Sequence, residues 1–265
     1  MSAQSGAGQD ATNRPVVVHY HLFKNAGTSV DAALRSSFGG AWAEKEFAPP
    51  DGGGMRPNAE QIGAFIAENP NLSAISSHTA LLPVPVVKGV DVYPVLFIRH
   101  PIDRMRSAYE FERQQKADTF GARLAKETDM AGYIRALLDL GTHRGVRNFQ
   151  VLRLSFNESG AAGSELDRAR RAVDSLPFVG LVEAFEQSML KMETYLKPRF
   201  PNFSSRVFRR NVSQTMGSTL ASRLSSMCEE LGDALYAELL DCNADDMVIF
   251  QMVSERYDFA MQQVA

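Results

Sequence analysis

Val16-Val17-Val18-His19-Tyr20-His21, then Lys24-Asn25-Ala26-Gly27-Thr28-Ser29, then Val30, Ala33, Leu34 and Phe38 set the architecture of this chain. The first block is β-branched and nearly continuously apolar, as expected of a strand covered on both faces of a parallel sheet. The last falls at helical spacing. A polar turn containing glycine between such a strand and such a helix leaves free N–H groups at the carboxyl edge of a sheet, where phosphates bind.

Outward from this unit the pattern repeats. Phe38 to Pro57 carries Gly39-Gly40, Pro49-Pro50 and Gly52-Gly53-Gly54 and predicts a long excursion at the sheet rim. Asn58 and Gln61 are spaced as a capping box for a helix through Ala67. Leu72 to Ser77 predicts a strand ending at His78, and Val92 to Arg99 a second strong strand running into a helix that begins at Pro101. Helical patterns follow over Met130 to Leu140, Glu183 to Leu196, Gly217 to Leu240 and Ala244 to Gln262, with a short strand over Phe178 to Val182. The basic segment Arg144 to Leu154 stays unassigned. Strands alternating with helices predict an α/β fold with a central parallel sheet flanked by helices, and ligands at the carboxyl ends of its strands.

Composition narrows the function classes. The chain has 265 residues, 45% hydrophobic and 22% charged, values of an ordinary globular protein. Lys and Arg number 28 against 31 Asp and Glu, a formal charge of −3, so nothing global favours nucleic acid or a polybasic membrane contact. Any anion site is local. Cys228 and Cys242 form neither a disulfide framework nor a metal-ligand spacing and are expected to be buried small residues. Residues 1–13 are small and polar and predict a disordered leader before a single domain over 14–265. Without a signal-like start or a run of 18 apolar residues, the expectation is a cytoplasmic chain with no integral membrane span.

Two segments carry the candidate chemistry. The turn over residues 24–29 offers backbone N–H groups, the Lys24 amine and the Thr28 and Ser29 hydroxyls to an anion. It is not a Walker A loop, which requires glycine at Leu22 and lysine at Thr28. Arg99-His100-Pro101-Ile102-Asp103-Arg104-Met105-Arg106-Ser107-Ala108-Tyr109 places Arg99 at a strand end and Ser107 two turns down a helix, a pair able to clamp a second anion. Taken singly, each segment also reads as an ordinary turn with a capped surface helix.

Together they resemble the PAPS-dependent sulfotransferases, specifically the carbohydrate O-sulfotransferase branch with its heparan and uronyl 2-O-sulfotransferases. His21-Leu22-Phe23-Lys24-Asn25-Ala26-Gly27-Thr28-Ser29 is similar to that family's H-x-P-K-T-G-G-T-S loop, with Phe23 for proline and Asn25-Ala26 for Thr-Gly. Arg99 through Tyr109 is similar to its R-x-P-x-x-R-x-x-S-x-Y element. Weaker echoes are Ser77-His78, Asn148-Phe149-Gln150 before Arg153, Val179 to Glu183 before Ser188, and Asn211-Val212-Ser213. The resemblance implies a P-loop-like three-layer fold and the donor 3′-phosphoadenosine 5′-phosphosulfate (PAPS, product PAP). It implies that Lys24, Asn25, Ala26, Gly27, Thr28 and Ser29 hold the 5′-phosphosulfate and that Arg99 and Ser107 hold the 3′-phosphate. It implies no metal and a hydroxyl acceptor, a carbohydrate or glycolipid.

His78 stands where the uronyl enzymes carry a catalytic histidine and is the candidate base. Glu44 and Glu46 are weaker candidates, and His21, which shares a strand face with His19, is placed to orient the loop. Arg144, Arg147 and Arg153 read equally as an acceptor contact or a solvated basic surface, Arg209-Arg210-Asn211-Val212-Ser213 as a lid or bland surface, and Trp42 as a sugar platform or a core plug. Two rival functions use the same residues: a nucleotide-dependent kinase or hydrolase, which requires Mg²⁺, and a nucleotide-binding interaction protein without turnover.

Overall fold

Strand β1 (Arg14–Tyr20) runs through the centre of a parallel sheet, between β3 (Ala74–Ser77) and β4 (Val90–Val95), with β2 (Trp42–Glu44) outside β3. The computed structural model describes residues 13–47, 55–205 and 219–259. The leader up to residue 12, Pro49-Pro50, Gly52-Gly53-Gly54 and Arg209 to Ser213 lie outside the described residues. The apolar run of β1 has the reason the sequence suggested: Val16 and Val18 face one core cluster, Val17 faces another, and all three are fully buried. After Leu96 the fourth strand continues as β5 (Phe97–Ile98), which leaves β1 and pairs in parallel with β6 (Gly180–Leu181). The expected strand over Val92 to Arg99 is thus one run that changes partner midway.

Helices cover both faces. α1 (Gly27–Phe38) presents Val30, Ala33 and Leu34 to the cluster beneath Val17, and burying Leu34 alone contributes roughly 2 kcal/mol. It ends at Gly39, whose φ of 52 suits glycine and whose N–H bonds the Arg35 carbonyl. α2 (Ala59–Glu68) buries Ile62 and Ile66, one turn apart, against the opposite cluster. α3 (Pro101–Gln114) starts with proline in its first turn and buries Ile102, Met105 and Tyr109. α4 (Phe120–Glu127) and α5 (Met130–Asp139) are capped by Thr119 and Asp129. α6 (Phe149–Ser155) occupies the unassigned basic segment, followed by α7 (Glu165–Ser175), α8 (Phe185–Leu196), α9 (Leu220–Leu231), α10 (Asp233–Asp241) and α11 (Ala244–Glu255). Among the described residues no helix is long and apolar enough to cross a membrane.

Several local expectations are corrected. The excursion after Phe38 contains a strand, β2, too short to show a period. Asn58 makes no cap for α2; its side chain instead accepts from Leu81 N–H and donates to the Thr79 carbonyl, both at 2.8 Å. As expected, helices fill much of the stretch up to Leu240; Gly232, whose φ is 74, divides α9 from α10. Cys228 and Cys242 are half-buried rather than buried, and both are free thiols. The C-terminal apolar run docks on the core of its own chain: Ile249, Phe250 and Val253 are fully buried in α11, and the Tyr257 hydroxyl donates to the Val179 carbonyl at 2.8 Å.

Candidate functional site

The turn between β1 and α1 is tight. Leu22 N–H bonds the Tyr20 carbonyl at 2.9 Å and Asn25 N–H the Leu22 carbonyl at 3.1 Å. Lys24 (φ 64) and Ala26 (φ 60) occupy the left-handed region, a cost of about 1–2 kcal/mol each for residues with a Cβ. The surroundings enforce it. The Asn25 amide donates to the Phe97 carbonyl at 2.7 Å and to Gln150 Oε1 at 2.8 Å, while the Lys24 carbonyl accepts from Arg99 Nη1 at 2.9 Å. Asn25 is therefore a buried brace whose own N–H is already engaged. At the start of α1 the N–H groups of Gly27 and Thr28 have no acceptor among the described residues, as the first turn of a helix dictates. Thr28 is exposed and Ser29 half-buried, and neither hydroxyl has a partner among the described residues.

Arg99 leads out of β5 beside this turn. Besides Nη1 on Lys24, its Nε and Nη2 donate to Asp103 Oδ2 at 2.9 and 2.7 Å. Those bonds use three of its five N–H groups, leaving two for a ligand. Asp103 also accepts from Arg223 Nε at 2.7 Å. Burial pushes the Asp103 carboxyl up, but Arg223 and Arg99 outweigh it and hold it below the usual range. Gln150 ties the two segments together: fully buried, it accepts from Arg99 N–H and donates to the Arg99 carbonyl, both at 2.9 Å, while holding Asn25. Lys24 is half-buried with Nζ 4.5 Å over the Phe111 ring. Burial, then the charge of Arg99, lower its pKa. Ser107, half-buried in α3, has a free hydroxyl among the described residues.

Three histidines converge at the ends of β1 and β3. Asp31, from α1, lies 2.7 Å from His19 Nδ1 and 2.8 Å from His21 Nδ1. Burial opposes ionisation of Asp31, yet the two imidazoles hold its carboxyl far below the usual range. His78 is exposed, its ring centroid 3.8 Å from that of His21. Desolvation, then the charge of His21, lowers the His78 pKa. Glu46 fixes the backbone here, accepting from the N–H groups of His78 and Thr79 at 3.1 and 2.8 Å, and Arg153 donates to the His78 carbonyl at 2.7 Å. Among the described residues, two trios have atoms of metal-ligating type within 4.8 Å of one another: His19, His21 and Asp31, and Glu44, Glu46 and His78. In the first the carboxylate is taken up by the imidazoles, in the second Glu46 by the turn.

The sequence reading of Gly27 changes. A Cβ there would lie 2.0 Å from His21 Cδ2 and 2.1 Å from Nε2, so the close approach that requires glycine is that of the His21 ring. Arg147 does not reach this edge; it donates to Cys242 Sγ at 2.6 Å and to the Leu138 carbonyl at 2.8 Å. Arg144 pairs with Glu165 at 2.5 Å. Trp42 is half-buried, its Nε1 donating to Ser76 Oγ at 3.1 Å with Arg35 stacked 4.4 Å above the ring. Asp31 carried no signal in the sequence, and Gln150 and Asp103 stood only inside quoted stretches with no role assigned, since nothing in a single sequence marks a buried polar residue whose partners lie far along the chain. Beside the His78 turn, Phe47, Met55, Leu81, Pro83, Thr79 and Arg153 help line a cavity of about 580 Å³.

No protein-family model matches the chain. An uncharacterized protein of Archaeoglobus fulgidus is 36% identical over 255 residues, spanning 92% of this chain and 98% of that protein. The chain belongs to that protein's family.

Proposed function

We propose that the chain is a PAPS-dependent sulfotransferase of P-loop-like fold, moving a sulfuryl group from PAPS to a hydroxyl acceptor, a saccharide or glycoconjugate. One observation carries the reading: Arg99 Nη1 donates to the Lys24 carbonyl at 2.9 Å, joining at one sheet edge two segments that the sequence separates by 75 residues. The strand order β2-β3-β1-β4, continued through β5 to β6, supports the fold assignment. The residues suit the donor, because N–H groups at Gly27 and Thr28, hydroxyls at Thr28, Ser29 and Ser107, and two Arg99 donors, all without a partner among the described residues, are what two phosphate groups require.

PAPS supplies the sulfuryl group and a phosphate leaving group. The N–H groups of Gly27 and Thr28 and the hydroxyls of Thr28 and Ser29 hold the 5′ end. Lys24 neutralises the charge that develops on the departing phosphate, and its amine is half desolvated, which strengthens that interaction. Arg99 and Ser107 clamp the 3′-phosphate. His78 takes the proton of the acceptor hydroxyl; burial and the neighbouring His21 favour its neutral form, the one a base needs. The adjoining cavity receives the acceptor. With labelled PAPS and a panel of saccharides, Lys24→Ala is expected to lower turnover by about a hundredfold or more while leaving PAP affinity within a few fold. Equal losses in both refute the role given to Lys24.

A further inference from the structure

Arg104, in α3, is the bulkiest fully buried side chain among the described residues, at 1% exposure, and it forms no ion pair among them. Nη2 donates to the Gly145 carbonyl at 2.6 Å and to Met105 Sδ at 3.3 Å, and the guanidinium lies 4.6 Å over the Phe149 ring. Nε and Nη1 have no acceptor among the described residues, so most of the fork is unspent. Asp246, the carboxylate whose field reaches Arg104, is itself held by the N–H groups of Gln150 and Val151 at 3.1 and 2.7 Å. A buried cation is paired as a rule, because burial strips its water and only a partner replaces it. The face of Phe149 offsets part of that loss.

Arg104 lines a cavity of about 320 Å³ bounded by α3, α4 and α5, a volume in the range of small-molecule sites. Phe23, Tyr133 and Leu137 form its apolar walls, with half-buried His143 beside them. Phe120, at 50% exposure among the most exposed large apolar side chains described, lines it as well. Glu112 is the one carboxylate on the lining, accepting from Thr119 Oγ1 at 3.3 Å and from Gln115. A guanidinium with unspent N–H groups, set in an aromatic wall, calls for an anionic group carried on an apolar body.

We propose that this cavity is a binding site for a small aromatic carboxylate, its carboxylate held by Arg104 and its ring packed among Phe23, Phe120 and Tyr133. A single negative charge matches Arg104; the second charge of a phosphate or sulfate would face Glu112. The site is separate from the anion contacts assigned to the β1–α1 turn, since neither Lys24 nor Arg99 lines it, and the inference does not depend on that reading. Phe23 joins the two places. It precedes Lys24, and its ring stands edge-on at 5.5 Å to Phe111, over which the Lys24 amine lies, so an occupant packs directly against the turn.

Benzoate is the probe, in calorimetric titration of the full chain. The expected result is saturable binding with a Kd on the order of 1 mM, and binding of benzamide, the same ring without the charge, at least about tenfold weaker. Arg104→Gln abolishes benzoate binding, with circular dichroism reporting whether the variant folds. Two variants decide the matter even if it does not. Phe120→Ala, at a half-exposed position, weakens benzoate about threefold or more. Glu112→Gln tightens it about threefold or more, a gain that a damaged fold does not produce. Lys24→Ala leaves the affinity within about twofold. Absence of benzoate binding up to about 10 mM, equal binding of benzamide, no effect of Phe120→Ala or Glu112→Gln, or loss of binding in Lys24→Ala each overturns the inference.

Discussion

Replacing Gln150 by leucine removes the piece that joins the two candidate segments while nearly preserving volume. Three hydrogen bonds go: those accepted by Oε1 from Asn25 and from Arg99 N–H, and that donated by Nε2 to the Arg99 carbonyl. Asn25 keeps its bond to the Phe97 carbonyl at 2.7 Å. The two Arg99 backbone groups lose their Gln150 partner, and Gln150 is fully buried, so water does not replace it without opening the site. At about 1 kcal/mol per lost bond, with a further 1–3 kcal/mol for polar groups left unsatisfied, the expected loss is about 4–6 kcal/mol. For a domain of this size that lowers Tm by roughly 8–24 °C. Urea unfolding followed by circular dichroism measures it as a lower midpoint at constant m-value. PAP affinity falls with it, because Lys24 and Arg99 no longer share a scaffold. A loss below about 1 kcal/mol refutes the assignment of Gln150 as the joint.

Gly27→Ala puts a methyl group 2.0 Å from the His21 ring and forces the ring off Asp31; a destabilisation of about 1–3 kcal/mol and loss of the His21–Asp31 contact by imidazole NMR are expected, and an unperturbed ring refutes the packing. Glu183 is held by burial at a pKa of about 7, above its ordinary 4.5, so the folded chain binds more protons there than the unfolded chain between those values and loses stability as pH rises through that window. Glu183→Gln, which retains an acceptor for the His100 N–H at 2.8 Å, therefore gains stability relative to the parent at pH 8 but not at pH 4, read from urea midpoints; an equal effect at both pH values refutes the burial of that charge. Arg99→Ala weakens PAP binding by about 1–3 kcal/mol in calorimetry, and an unchanged affinity removes Arg99 from the site.

The frame of the fold was legible because it rests on local signals. The uninterrupted Val16–Val18 run is what a doubly covered strand needs, and Val30, Ala33 and Leu34 repeat at the helix period. β2 escaped because three residues show no period, and the change from Val95, paired with β1, to Phe97, paired with β6, leaves no mark in an apolar run that is buried from Val95 to Ile98. Of the site, Lys24, Thr28, Ser29 and Arg99 announced themselves by chemistry at a strand end. Asn25 did not: an amide in a loop looks like a ligand contact until Gln150, 125 positions later, claims it. Likewise Gly27 reads as room for a phosphate, whereas the room is taken by His21. Asp31 sits one turn into α1 on a face that sequence alone assigns to the helix surface, yet it is 8% exposed beneath two histidines.

The central claim is most directly tested by calorimetric titration with PAP, run against ATP and ADP, first with EDTA and then with Mg²⁺. Binding of PAP alone, unaffected by EDTA, is the predicted result. Preference for ATP in the presence of Mg²⁺ contradicts it and makes the chain a nucleotide-dependent kinase or hydrolase; binding of none of the three contradicts it as a nucleotide site altogether.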